Sequence, residues 1–398
     1  MMNDLFKKMV EHHLSPLVFK GRQLLPIVQG GMGVGISAHR LAGTVASLGA
    51  VGTIASIDLR RHHEDLMQVS QHADKETVDE ANLTALDREI KAAQAIAQGA
   101  GVIAVNVMKA VSEYANYVRQ ACRSGADAIV MGAGLPLDLP DLVDEKPNIG
   151  LIPILSDARG IQVVIKKWMR KGRLPDAVVI EHPRYAAGHL GAAKVEDIND
   201  PRFDFEQVLP AAHEFFRAEG ISEKDVPLVV AGGINSHERV RQLIDMGASG
   251  VQLGTAFAVT QEGDAAESFK RVLLDAKPEE MVEFISVAGL PARAVRTPWL
   301  DNYLKFLPKL TAVAHKKPRC SVKFDCLSQC GLRDGIAKIG QFCIDVQLAA
   351  ALRGDRMKGL FFRGASSLPF GSEMRPVKDL IEYLLTGIKP EAPKPTEA

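Results

Sequence analysis

The sequence predicts an α/β chain built as a (β/α)₈ barrel with an appended, mainly helical C-terminal segment. Three observations carry that expectation: eight short apolar runs are separated by helix-patterned stretches, most runs are continuous rather than alternating, and most end in glycines or a polar residue. Continuous apolar runs suit parallel strands covered on both faces. Eight strand-helix units point to a closed barrel over an open doubly wound sheet.

Taken in order, the first run is "LLPIVQGG" (24–31), followed by the helical pattern "AHRLAGTVASLGA" (38–50). The second is "AVGTIAS" (50–56), and the third, "GVIAVNVM" (101–108), leads into "SEYANYVRQACRSGA" (112–126). "DAIVMGAG" (127–134) is the fourth, and "GLIPILS" (150–156) the fifth, in which Pro153 lacks a ladder donor. The helix pattern "IQVVIKKWMRKG" (161–172) separates it from the sixth run, "DAVVIE" (176–181). "PLVVAGGI" (227–234), the pattern "HERVRQLIDMGA" (237–248) and "GVQLGTA" (250–256) complete the set. The barrel is placed at 15–285, with an insertion at 194–223 in the sixth unit that contains "FDFEQVLPAAHEFFRAEG" and is expected to cover the mouth. Residues 286–385 form the C-terminal segment, with helices in "GIAKIGQFCIDVQLAAALRG" and "PVKDLIEYLLTG". The Pro-rich, charged residues at 386–398 are expected to be a disordered tail.

The 398 residues suit one large domain and a smaller one. Lys plus Arg and Asp plus Glu are equal at 48 each, so no charge excess points to nucleic acid or an anionic membrane, and a small molecule is the expected partner. No apolar run of about 18 residues appears, and the N-terminus has no apolar h-region. A cytoplasmic protein is expected, with a homodimer as an assembly open to it. Cys122 stands apart, whereas Cys320, Cys326, Cys330 and Cys343 form a C-x₅-C-x₃-C-x₁₂-C pattern. Structural disulfides do not fit a reducing compartment. Thiolates bind zinc or iron-sulfur clusters, but paired C-x₂-C spacing is absent, so packed thiols are the expectation and a metal or cluster site the alternative.

Barrel enzymes place their active sites at the carboxyl ends of the strands. Those ends read Gly30-Gly31-Met32, Asn106-Val107-Met108, Gly132-Ala133-Gly134, Glu181, Gly232-Gly233 and Gly254-Thr255. Glycine there either turns the chain or lets backbone approach a ligand. The loops after the seventh and eighth strands commonly bind a phosphate through backbone N–H groups. Gly232, Gly233, Gly254 and Thr255 match that arrangement, and FMN is the ligand expected. The sixth run continues as "VVIEHPRYAAGHLGA" (178–192), where His189, flanked by Gly188 and Gly191, sits in the loop after the strand. An imidazole titrating near neutrality can take or give a proton there. His182 fits either the rim or a supporting position behind the site, and Tyr185, Trp299 and Tyr303 either cap the mouth or pack in a core.

These motifs, in this order over residues 20 to 300, resemble the nitronate monooxygenase family, formerly the 2-nitropropane dioxygenases, a group of FMN-dependent TIM barrels also similar to the flavin-type enoyl-acyl-carrier-protein reductases. The resemblance lies in "PIVQGGMGVGIS", "LAGTVASLGAVGTI", "GVIAVNVM", "GADAIVMGAGLP", "AAGHLGA", "PLVVAGGI" and "GVQLGTAF". It implies that Gly30, Gly31 and Met32 lie against the isoalloxazine, that Asn106 hydrogen-bonds to the flavin, and that Gly232, Gly233, Gly254 and Thr255 hold its phosphate with Gln252 nearby. Glu181 and Gly188 join the implied cofactor contacts, and His189 orients or deprotonates the substrate. The implied activity is oxidation of alkyl nitronates with dioxygen. The alternatives are an NAD(P)H-dependent flavin reductase acting on a quinone or an enoyl thioester, and a non-catalytic flavin-binding module.

Overall fold

The computed structural model describes residues 2–391 except 144, 145, 317, 323 and 325. Eight parallel strands close into a barrel in sequence order: β1 Ile27–Gln29, β2 Val51–Ala55, β3 Val102–Met108, β4 Ala128–Gly132, β5 Gly150–Leu155, β6 Val178–Glu181, β7 Leu228–Ala231 and β8 Gly250–Leu253. Each of the eight apolar runs supplies one strand, and the TIM-barrel fold is the one expected. β8 pairs with β1, Gln252 opposite Val28, and the ring shuts.

Side chains alternate along these strands even where every residue is apolar. Val102 and Ala104 of β3, Ile152 of β5 and Val179 of β6 fill the barrel interior, while Ile103, Val105, Leu151, Val178 and Ile180 pack outward against helices. Leu17, Phe19 and Leu24, from a short hairpin preceding β1, plug the amino end of the interior. Gly150 is where that plug sits: a Cβ there would lie 2.4 Å from the Phe19 ring.

Two domain boundaries differ from expectation. The helix Phe205–Ala218 is not part of an insertion over the mouth; it is the barrel's sixth helix. Phe205, Val208, Leu209, Ala212, Phe215 and Phe216 are all buried along one face, and the helix packs against the preceding one, Ala158–Met169. Its amphipathic spacing was readable, but the polar approach through residues 194–204 obscured it.

The helices appended after the barrel are those expected, but the boundary at 285/286 cuts through a hairpin. The strands β9 Met281–Ile285 and β10 Pro291–Val295 form one hairpin straddling the expected boundary. The last helix, Val377–Thr386, packs against His39–Ser47, the helix after β1, and against His237–Asp245, the helix after β7. It therefore occupies the eighth helical position of the barrel. Val377, Leu380, Ile381, Leu384 and Leu385 are buried in the main core, and the Leu384 carbonyl meets His237 Nδ1 at 3.0 Å. The expected tail at 386–398 thus begins too early: Thr386 closes this helix, and the Arg375 guanidinium donates to the Glu391 carbonyl at 2.8 Å. Residues 392–398 lie outside the described residues. Among the described residues, no helix is long and apolar enough to cross a membrane.

Leu384 is fully buried, so Leu384→Ala is expected to cost about 2–5 kcal/mol of stability in denaturant titration. A loss below about 0.5 kcal/mol, the range of surface changes, would show that this helix does not complete the barrel.

Candidate functional site

At the carboxyl ends of the strands lies a cavity of about 280 Å³. Gly30, Gly31, Met32, Asn106, Glu181, Gly188, His189, Gly232, Gly233, Gln252, Gly254 and Thr255 all line it. Strand parity places the polar members. Asn106 follows the inward residues Val102 and Ala104 by the two-residue period, Glu181 follows Val179, and Gln252 lies opposite Val28.

One side of the cavity is a surface without side chains. Gly31 approaches β3 so closely that a Cβ would stand 2.3 Å from the Cβ of Asn106. Gly232 and Gly233 have φ of +105° and +75°, which L-residues rarely adopt, and a Cβ on Gly233 would meet the Tyr185 ring at 3.0 Å. Among the described residues, the N–H groups of Gly232, Gly233 and Gly254 donate to no backbone carbonyl. These half-buried donors face the cavity, and three of them together suit an anion. Thr255 Oγ1 accepts from the Gly364 N–H at 3.1 Å and keeps its own hydrogen to donate. A flavin phosphate fits this donor set, and a planar ring fits the flat backbone at Gly30 and Gly31.

His189 is held from outside the barrel. Gly188 and His189 pair antiparallel with Arg293 and Ala292 of β10, and Nε2 lies 3.1 Å from Ser286 Oγ. Arg293, almost fully buried, donates to the Ala186 carbonyl at 2.6 Å and to Glu283 at 2.7 Å, so the hairpin grips the whole loop. Burial alone pushes the imidazole down to about 4, away from the near-neutral titration expected of it. The ring is therefore neutral at pH 7. Burial acts the opposite way on Glu181, raising its carboxyl to about 7. The group titrating near neutrality is the carboxyl, not the imidazole.

Several contributors escaped the sequence reading. Gln29, fully buried, accepts from the Thr53 N–H at 2.9 Å and donates to the Thr53 carbonyl at 3.0 Å, fixing the turn into Gly30. The C-terminal segment adds an apolar wall of Ile344, Leu348, Leu360 and Phe362 and a polar edge at Ser366 and Ser367. Only contacts distant in sequence bring these in. Other expectations change. Of its two expected places His182 takes the one behind the site, buried at 2 % exposure against the Tyr185 ring, with Nε2 3.0 Å from Asp204. Trp299 stacks on Tyr303 at 5.5 Å, and both pack against Phe342 rather than capping the mouth. Tyr185 does line the cavity.

The family model for nitronate monooxygenase matches residues 19–387. The chain belongs to the nitronate monooxygenase family. A relative from Bacillus subtilis (strain 168), named a probable nitronate monooxygenase, is 26% identical over 291 residues, covering 71% of this chain and 79% of the relative. Among solved structures, FabK from Thermotoga maritima superposes with a TM-score of 0.61 at 20% identity, covering 90% of this chain and 91% of FabK. The nitroalkane oxidase from Streptomyces ansochromogenes gives 0.60 at 19% identity, covering 92% and 95%. These two likenesses establish the barrel fold. Family membership makes the chain a flavin-dependent oxidoreductase.

The Glu181 carboxyl, raised from 4.5 to about 7, binds a proton more tightly folded than unfolded. Unfolding therefore releases a proton between those values, and stability falls as pH rises through that window. Glu181→Gln is expected to gain on the parent between pH 5 and pH 8 by on the order of 2–3 kcal/mol in ligand-free denaturant titrations. Parallel pH dependence in the two proteins would show that the carboxyl is not held protonated.

Proposed function

We propose that the chain is an FMN-dependent enzyme of the nitronate monooxygenase type, oxidising alkyl nitronates with dioxygen as acceptor. The observation that carries this reading is one cavity in which a glycine cradle with uncommitted N–H groups faces the same space as His189 and Glu181. Gly232, Gly233, Gly254 and Thr255 would hold the FMN phosphate, Gly30, Gly31 and Met32 would lie against the ring, and Asn106 and Gln252 would offer it amide groups. Glu181 and Gly188 would border the ring. Bound there, FMN supplies the two-electron chemistry that no side chain of the cavity has.

A nitronate is already an anion and needs no base to activate it. His189, neutral and fixed by Ser286 and the hairpin backbone, is suited to orienting it through a hydrogen bond rather than to deprotonating it. Glu181, protonated up to about pH 7, keeps a second negative charge away from that anion and can hand on a proton. The apolar wall of Ile344, Leu348, Leu360 and Phe362 excludes water and takes the alkyl group. That same wall would also take a quinone ring or an acyl chain, which supports a second reading: NAD(P)H-dependent reduction of a quinone or an enoyl thioester.

Anaerobic mixing of the purified protein with ethylnitronate, and separately with NADH or NADPH, distinguishes the two. Flavin bleaching by the nitronate alone is expected; bleaching by reduced nicotinamide alone would select the second reading, and a colourless protein would remove FMN from both. His189→Ala should keep its flavin and lose about 10²–10⁴-fold in kcat/KM for the nitronate, and unchanged turnover would refute the orienting role. Gly31→Ala, whose Cβ would lie 2.3 Å from that of Asn106, should purify with markedly less flavin.

A further inference from the structure

The four cysteines after residue 319 lie far apart in sequence relative to ordinary paired metal motifs, and spacing alone favours packed thiols. The fold alters that balance. Cys320, Cys326, Cys330 and Cys343 all line one small cavity, separate from the flavin cleft, with Arg319 and Arg333 at its edge. None of the four is in a disulfide, and all are only part-buried. Four thiols converging on one enclosed space is more than hydrophobic packing requires, because any apolar side chain of that size would pack as well.

The loop carrying them is pinned to the barrel. Leu327 bridges to Val111, the Ser112 N–H donates to the Cys326 carbonyl at 3.4 Å, and the Ser328 N–H donates to the Ala110 carbonyl at 2.9 Å. On the other side, the Gly331 N–H donates to the Val287 carbonyl at 2.8 Å. Cys330 Sγ accepts from the Arg333 N–H at 3.5 Å, and Cys343 stands immediately before the helix Ile344–Leu352. The Arg333 side chain donates to the Leu327 carbonyl at 2.6 Å and to the Ser328 carbonyl at 3.2 Å, which folds the chain between Cys326 and Cys330 around the cavity.

We propose that Cys320, Cys326, Cys330 and Cys343 ligate a [4Fe–4S] cluster. Among the described residues, no group of His, Cys, Asp or Glu is gathered closely enough for a single metal ion, which counts against zinc with its bonds of about 2.3 Å to one centre. In a four-iron cluster each thiolate binds its own iron, so the four sulfurs stand apart around a core. Each thiol gives up its proton on binding. Ile344, directly after Cys343, lines both this cavity and the flavin cleft. The cluster therefore fixes the start of the helix that forms the apolar wall of the active site.

The test is metal and sulfide analysis of the full chain purified without oxygen, before and after incubation with ferrous iron and sulfide, with electron paramagnetic resonance after dithionite reduction. About four irons and four sulfides per chain, with a reduced-cluster signal, are expected. Stoichiometric zinc without iron, two irons per chain, or no bound metal after reconstitution would each overturn the proposal. Cys326→Ala and Cys343→Ala should each lower iron content several-fold, whereas Cys122→Ser, on the helix Tyr114–Arg123, should leave it unchanged. Equal iron in all three variants would overturn the ligand assignment. The measurement on the unsubstituted chain decides the matter even where a variant fails to fold.

Discussion

The arrangement of this molecule depends on the docking of its last helix between the first and seventh helices of the barrel. A (β/α)₈ ring left open at its eighth position would expose the apolar outer faces of β8 and β1. Val377, Leu380, Ile381, Leu384 and Leu385 cover them, and each buried side chain of this kind contributes about 1.5–3 kcal/mol. The chain leaves β8 at Leu253 and returns to that position only at Val377, and the stretch between brings Ile344, Leu348, Leu360 and Phe362 to the carboxyl face. The apolar wall of the cavity and the cysteine loop both come from that detour.

The detour also governs the chemistry of the site. Covering the mouth removes water, and water removal moves the two titratable groups in opposite directions: the imidazole of His189 is kept neutral and the carboxyl of Glu181 is kept protonated to about pH 7. Neither shift has a charged partner as its cause. The hairpin β9–β10 fixes His189 by backbone pairing and through Ser286, while Arg293 holds the preceding turn. Position and protonation state thus come from one structural feature.

The crossing segment is anchored by buried charge as well as by apolar contact. Asp345, two residues after Cys343, receives the guanidinium of Arg61 at 2.6 Å, and Arg61 also pairs with the fully buried Asp58 after β2. Asp58 is pushed well above the usual carboxylate range, chiefly by burial and then by the neighbouring Asp345. Breaking such a group by removing one partner strands a charge away from water, so it specifies this docking more than it strengthens it.

The eight strands, the glycine-rich strand ends and His189 were legible in the sequence, because continuous apolar runs and glycine before a loop are local consequences of a parallel sheet and of close backbone approach. The twelve residues read as candidate site residues gather around one cavity for the same reason: strand ends in a closed barrel converge whatever lies between them. Local pattern could not show that Phe205–Ala218 is a barrel helix rather than an insertion, nor that the last helix belongs to the barrel, since amphipathic spacing states that a face is buried and not against what. The protonation states of His189 and Glu181, the grip of Arg293 and the convergence of four irregularly spaced cysteines were likewise decided only by tertiary structure. The first two depend on burial and on contacts as distant in sequence as His189 with Ser286 and Arg293 with Ala186, and the cysteines meet because their loop is pinned to Ala110 and Ser112 of the barrel, so none of these is set by local pattern.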